Sequence, residues 1–488
     1  MFLRRSLFSF FILFIYTISQ AQNDTLPFSI SEKRRISEDK LSSKKEGWYI
    51  TGLPRLGYDP IQGIGISADG EIFNNRTSDD PFFAYTPYRE RITFSVGYTQ
   101  FGKVSAGLGL DMPYFLDTKW RLRARFAFSD NPNKIYFTPG ENSLESLSYR
   151  DRVTGEFVEN ARYNDYRRAL SVIRPLQNPW EGEVPGVDYT DRNFHYNRYT
   201  KYALDLIVER TFMEGDLRLV FAGGVIDLRY NPYDFELEDR ALDLDGNRVE
   251  ARNGLTLITR DFLEAERGDP DSYWVQNNIT GYEGGFSVKF KAGLIYDTRD
   301  FEPDPSKGTL AEYSLGYTAP WMGSDFHYSR HQFQWMQFQK ILGFLPNKNV
   351  LASRLMLSTI GGPEVFFREV FDIWSASQGR IGVLGGEDTM RGFKKFRFGG
   401  MAMGMGNIEL RSSISSFSWL DQDFEVSAVP FFDFGRVWDG IQNINLKGFK
   451  YNPGLGARIA WNQSTILRFD YARSAEDAQF FFVFGQIF

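Results

Sequence analysis

The feature that most constrains this chain is a period of two, repeated over segments about ten residues long. Trp120, Leu122, Ala124, Phe126 and Phe128 alternate with Arg121, Arg123 and Arg125. Tyr202, Leu204, Leu206 and Val208 alternate with Lys201, Asp205 and Glu209. Phe286, Val288, Phe290, Leu294 and Tyr296 alternate with Ser287, Lys289, Lys291 and Asp297, and Leu467, Phe469 and Tyr471 with Arg468 and Asp470. Successive side chains of an extended strand point to opposite faces, so each segment has one apolar and one charged face. A soluble sandwich turns the charged face to bulk water, and a membrane barrel turns it to a wet lumen. Alternation alone fits both.

The rest of the chain favours the barrel. Arg4 and Arg5 precede an apolar run, Leu7–Ile18, and Ser19 and Ala21 have the spacing that signal peptidase reads. Residues 1–21 are therefore expected to be an export signal, cleaved before Gln22. The run is shorter than the roughly 20 residues a spanning helix needs, and no later stretch approaches that length. Mean hydropathy is −0.36, which excludes a helical membrane protein but not a barrel diluted by luminal charge. Residues that are 17% aromatic, beside 45 Gly, fit aromatic girdles on a closed sheet. The net charge of −6 is spread along the chain and gives no footprint for nucleic acid. There is no Cys, hence no disulfide framework and no lipid-modified cysteine.

Strands are expected near Ile61–Ile72, Arg91–Tyr98, Val104–Met112, Trp120–Phe128, Tyr199–Thr211, Leu217–Arg229, Phe286–Tyr296, Thr309–Thr318 and Phe326–Ile341. Six more lie near Val350–Ile360, Gly404–Ser413, Glu425–Gly435, Pro453–Trp461, Thr465–Arg473 and Gln479–Phe488. Single-chain bacterial barrels have even strand numbers. The set is odd, so one more strand is expected between Phe73 and Tyr88, giving about sixteen. Connections then fall into two classes. Leu116–Lys119, Met213–Gly215, Phe344–Asn349 and Asn462–Ser464 are short, as periplasmic turns. Residues 130–198, 231–285 and 361–403 are long and fall on the opposite, extracellular side. The predicted organisation is a signal peptide over 1–21, a short periplasmic segment over 22–56 and an all-β transmembrane antiparallel barrel over 57–488.

Gly385-Gly386-Glu387-Asp388-Thr389-Met390-Arg391-Gly392-Phe393 resembles the signature loop of the BamA/TamA-type outer-membrane assembly barrels, the bacterial surface antigen superfamily. The resemblance runs in order over Gly293–Phe488. Tyr296–Asp300 with Pro305–Thr309 is similar to the family's paired strands, and Asn407–Arg411, Phe431–Gly435, Gly454–Arg458 and Leu467–Ala472 are similar to the strands after the loop. Phe480–Phe482 with Gly485 and Phe488 resembles the closing strand. The resemblance implies that the loop folds into the barrel and that Arg391 meets Glu409 and Asp433 on the inner wall. Period two agrees, because Ile408 and Leu410 flank Glu409, and Phe432 and Phe434 flank Asp433. A guanidinium is a planar fork suited to carboxylates. Gly392 lets the backbone approach the wall, and Phe393 completes the motif.

The family's assembly factors carry periplasmic POTRA domains before the barrel. Gln22–Trp48, polar and bearing Lys33-Arg34-Arg35 and Lys44-Lys45, is too short for one such domain and reads as a flexible tail. The resemblance further implies a weak seam between first and last strands. Pro60, Gly63, Gly65 and Gly70 weaken the expected first strand, and Gly485 kinks the last. A cysteine pair near Ile64 and Phe484 would lock such a seam.

Other chemistry finds little support. His195 lies in a long loop, and His327 and His331 lie near Ser324 and Asp325, where strand parity opposes convergence into a triad. Asp243–Asn247 lacks the distal Glu of a calcium loop and reads better as a hairpin turn. No zinc or phosphate-loop pattern occurs, so no catalytic residue, metal or cofactor is expected. The expected function is insertion or translocation of outer-membrane proteins through the seam. The expected partners are outer-membrane lipid and unfolded outer-membrane proteins or a separate periplasmic accessory protein. The alternative is a passive pore, or a structural barrel presenting its long loops to a partner.

Overall fold

The computed structural model describes residues 26–30, 35–36, 38–42, 44–178, 182–300, 304–343, 348–419, 422–461, 465–484 and 486–488. The export-signal reading over residues 1–21 lies outside them.

Sixteen strands form the wall: β1 (Trp48–Asp59), β2 (Gly63–Asn74), β3 (Glu90–Thr99), β4 (Val104–Met112), β5 (Trp120–Ile135), β6 (Tyr196–Phe212), β7 (Leu217–Pro232) and β8 (Gly284–Asp297), then β9 (Gly308–Thr318), β10 (His327–Lys340), β11 (Asn349–Phe366), β12 (Ala402–Trp419), β13 (Gln422–Trp438), β14 (Lys450–Trp461), β15 (Thr465–Arg473) and β16 (Ala478–Phe484). Each pairs antiparallel with its neighbour in the chain, and Tyr58 of β1 meets Phe482 of β16 to close the ring. A two-residue strand, Ile279–Thr280, adds in parallel to the end of β11 outside the wall.

Period two sorts the side chains as a closed sheet in lipid requires. Tyr202, Leu204, Leu206, Phe290, Leu294 and Tyr296 are exposed on the outer face. Arg123, Glu209, Lys289, Lys291, Arg468 and Asp470 are buried inside. Away from the meeting of β1 and β16, each strand's backbone groups are satisfied by its two neighbours in the wall. Among the described residues no helix is long and apolar enough to cross a membrane; the chain crosses with strands.

The sixteenth strand is not where parity put it. Residues 75–89 form a compact turn segment around the buried Phe82. The added strand is β1, ahead of the expected first strand, so the barrel begins at Trp48 rather than at residue 57. Trp48, Ile50, Leu56 and Tyr58 do face outward, but Gly52 and Pro54 interrupt the apolar series that would have announced them. What holds β1 is the ladder: all twelve residues pair with β2. The segment before β1 is also engaged at its described residues. Phe28 packs on Phe82 and Tyr114 with ring centroids 5.6 and 5.8 Å away, and Lys44 donates to the carbonyls of Phe83 and Thr86.

β16 ends at Phe484, not at Phe488. Gly485 lies outside the described residues. Phe488 leaves the wall and turns into the lumen, 6.0 Å from the ring of Phe338, and its carbonyl accepts from Arg411 at 3.0 Å. The carbonyl of Ile487 accepts from Arg354 at 3.2 Å. Unpaired carbonyls and an apolar ring both find partners there that a lipid-facing rim lacks.

The two longest connections, 136–195 and 233–283, leave one rim, which we call the loop rim; the start of β1 and the end of β16 lie at the other. The hairpin Leu237–Leu242 with Arg248–Asn253 joins Gly182–Thr190 and Arg174–Asn178 in one four-stranded sheet over the barrel. Asp243 spends its carboxylate on the hairpin turn, accepting from the backbone of Asp245 and Asn247. The helix Leu257–Glu266 brings Asp261 into the cap's apolar core, where Tyr136 donates to it at 2.7 Å and Thr138 at 3.1 Å. Burial outweighs these bonds and Arg260, and with Glu264 nearby raises the Asp261 carboxyl to about 7. The folded cap thus binds this proton more tightly than the unfolded chain. Stability from Asp261 is full below the ordinary carboxylate range and falls as pH rises through about 7, by on the order of a few kcal/mol. Amide exchange over residues 257–266 is expected to quicken between about pH 4 and 7 and then level off after correction for intrinsic rates, and Asp261→Asn to remove that rise. An unchanged pH profile in the variant would refute the assignment.

Candidate functional site

The third long connection, between Phe366 and Ala402, folds into the lumen. It begins with a hairpin, Asp372–Ser375 paired with Gly379–Val383. Glu312 of β9 accepts from Ser377 at 3.1 Å, Lys289 pairs with Glu369 at 2.8 Å, and Arg125 of β5 donates to the carbonyl of Gln378 at 2.7 Å. The loop thus reaches across the barrel. Gly385, with φ of 104°, turns the chain out of the hairpin; a Cβ there would lie 2.1 Å from the carbonyl oxygen of Lys394.

The turn delivers Arg391, fully buried, to the inner wall. Its Nε and Nη2 donate to the two oxygens of Asp433 at 2.9 and 2.7 Å, a bidentate fork. Its Nη1 donates to Glu409 at 2.8 Å and to Asp470 at 3.1 Å. The guanidinium lies over the ring of Phe431. Gly392 makes this approach feasible, because a Cβ there would sit 2.5 Å from Cβ of Asn452. Phe393 packs on Phe398 with ring centroids 5.1 Å apart.

Glu409 of β12, Asp433 of β13 and Asp470 of β15 each point inward because an apolar residue precedes each and faces lipid. Asp470 is the partner that the reading of the loop motif left out; its own parity, between Phe469 and Tyr471, was the available signal. The carboxylates have further donors. Arg411 reaches Glu409 at 3.0 Å, Arg458 reaches Asp470 at 2.6 Å, and Asn407 and Asn452 reach Asp433 at 2.8 and 3.0 Å. Such density offsets the desolvation of charge that a lone pair would not.

A second tie joins the same loop to the first strand. Lys395 pairs with Asp59, the last residue of β1, at 2.8 Å and with Glu387 at 2.5 Å. The seam itself is thin. β1 shares twelve registered pairs with β2 but, among the described residues, one with β16, Tyr58 with Phe482. Gly63 and Gly65 are not at this seam. They lie on β2, opposite Asp59 and Gly57, because the missed strand stands between them and β16.

The histidines do not form a triad. His195 is held in the cap by the Tyr136 carbonyl and the Tyr166 hydroxyl. His327 and His331 contact Tyr317 and Tyr313, while Asp325 accepts from the backbone of Phe286.

A closed sixteen-stranded antiparallel barrel, apolar outside and charged within, is an outer-membrane barrel of Gram-negative type. The chain belongs to the Omp85 superfamily: the model of the Omp85 superfamily domain matches residues 89–488. A domain of unknown function, DUF5982, matches residues 26–89, which here comprise the described N-terminal segment, β1, β2 and the turn segment before β3. Among solved structures the chain is similar to BamA from Haemophilus ducreyi lacking POTRA domains 1–3, at 13% identity and TM-score 0.47, covering 90% of this chain and 70% of that one. It is similar to CdiB from Escherichia coli at 11% and 0.47, and to CdiB from Acinetobacter baumannii at 10% and 0.43. It covers 89% and 90% of this chain in those two cases and spans 61% and 60% of theirs. No curated protein matches the sequence. Superfamily membership places the chain among assembly and translocation barrels rather than enzymes.

Proposed function

We propose that the barrel inserts or translocates outer-membrane proteins through the β1–β16 seam, with the Arg391 loop bracing the wall beside it. The observation that carries this reading is the contrast, among the described residues, between twelve registered pairs on one side of β1 and one on the other. Unpaired strand backbone is costly in lipid, and a client strand is the partner that satisfies it. Loop and seam are joined by Lys395 and Asp59, so a shift of either is felt by the other. The rim bearing the start of β1 and the end of β16 faces the periplasm, as in even-stranded barrels. An accessory protein there would deliver the client. A passive pore fits less well, because the loop fills the lumen from β5 to β15.

A photo-crosslinking residue at Tyr58 or Phe482 is expected to capture nascent outer-membrane proteins in cells. The same residue at Phe290, on the outer face of β8 away from the seam, is not. Equal capture at both sites, or none at the seam, would sink the reading.

A further inference from the structure

The barrel wall is uneven at the loop rim. The β1–β2 and β3–β4 turns are short, so the wall there stops at Ile61 and Phe101, while β5, β6 and β7 run on for 16 or 17 residues and carry the cap above it. The cap overhangs this low wall and leaves a cleft of about 880 Å³. Its floor is Ile61, Tyr98 and Phe101. Its roof presents Arg167 and Arg168 from the helix Tyr163–Leu170, Arg192, and Arg240 and Arg248 from the cap hairpin.

Five arginines and two acidic residues line the cleft, in a chain whose net charge is −6. Glu238 lies 3.6 Å from Arg192, and Asp239, itself widely exposed, 3.8 Å from Arg240. Arg168 and Arg248 make no ion pair with any described residue and are exposed. Burial lowers the basicity of Arg192; Glu238 opposes the shift, and Arg167 and Arg240 add to it by like-charge crowding. A cluster of this kind is relieved by a multivalent anion, and planar forks suit phosphate oxygens.

The floor says where that anion comes from. Tyr98 and Phe101, 55% and 47% exposed, lie at the end of β3 and in the turn that follows it, beside the outer face of the barrel. Aromatic residues at a barrel's end mark the level of lipid headgroups. The arginine roof therefore overhangs the headgroup layer. We propose that this cleft binds the phosphorylated headgroup of an outer-leaflet glycolipid, with its acyl chains descending along Tyr98 and the outer faces of β2 and β3.

The test uses the full chain in detergent micelles. The probes are lipid A, a bisphosphorylated diglucosamine lipid, its dephosphorylated form, and inorganic phosphate. Lipid A is expected to bind, and R168E/R248E to weaken it at least about tenfold, the equivalent of roughly 1.4 kcal/mol. R168K/R248K, which keeps charge and loses the fork, should fall between. Heat-modifiable mobility confirms that each variant is folded. Unchanged binding by R168E/R248E, or equal binding of dephosphorylated lipid, overturns the proposal. Inorganic phosphate binding as tightly as lipid A would assign the cleft to a soluble anion and overturn the lipid source.

Discussion

Arg391→Ala is expected to strip the outer membrane of correctly folded barrel. The side chain is fully buried and makes four hydrogen bonds to three carboxylates. Removing it leaves Asp433 with two amide donors and its backbone contact, and leaves three inward carboxylates in a region from which the loop excludes water. Breaking a buried pair by deleting one partner costs roughly 3–5 kcal/mol. That is a large share of the roughly 5–15 kcal/mol that holds a typical domain together. Arg391→Lys keeps the charge and loses the fork to Asp433, so it should be milder. Glu409→Gln with Asp433→Asn should approach the alanine variant, by leaving the buried guanidinium one carboxylate, Asp470, of its three. Adding those two changes to Arg391→Ala should recover part of the loss, since Asp433 and Glu409 no longer carry charge and Asp470 keeps Arg458, while Arg411 loses Glu409 and the recovery stays partial. Heat-modifiable mobility reports the barrel, and protease access to residues 384–401 reports the loop. A normal band with a protected loop in Arg391→Ala would end the idea that this cluster holds the loop.

That cluster was legible in unusual detail, and the reason is geometric. A lipid-facing residue on each side of Glu409 and Asp433 leaves one direction for the carboxylate, so strand parity alone sends both inward. Asp470 obeys the same rule, but nothing local says that a third strand comes within reach of the same guanidinium; register and strand tilt decide that. The first strand was hidden for a different reason. Gly52 and Pro54 remove the apolar signal, and the ladder to β2 that forms the strand leaves no trace in side-chain chemistry. Everything inferred about the seam from Gly63 and Gly65 followed from that omission and moved one strand over. The inward tail escaped for want of a local cue, since Arg354 and Arg411, which receive it, lie over 70 residues upstream. The arginine cleft is assembled from turns and cap segments as far apart as Ile61 and Arg248, a distance that periodicity does not bridge.

Moving the seam changes the decisive experiment. Ile64 pairs with Tyr58 across the β1–β2 ladder, so a whole strand separates it from β16. Two strand spacings are about 9.6 Å, beyond the reach of a disulfide. Tyr58 and Phe482 are direct partners across the seam, and antiparallel partners have Cα atoms roughly 4.5–5.5 Å apart, within disulfide range. The native chain has no Cys, so Tyr58→Cys with Phe482→Cys forms its bond without competition. Both side chains lie on the outer face and neither touches the Arg391 cluster, so the barrel should assemble normally. Oxidised, β1 and β16 become covalently continuous and no client strand can enter between them. The locked variant is expected to lose cellular function entirely while keeping heat-modifiable mobility, and reductant should restore function. Each single cysteine variant should remain active. A pore or scaffold needs no opening at this seam, so full complementation by the oxidised pair, with the disulfide verified by mass, would refute the gate and leave the barrel a scaffold for its cap.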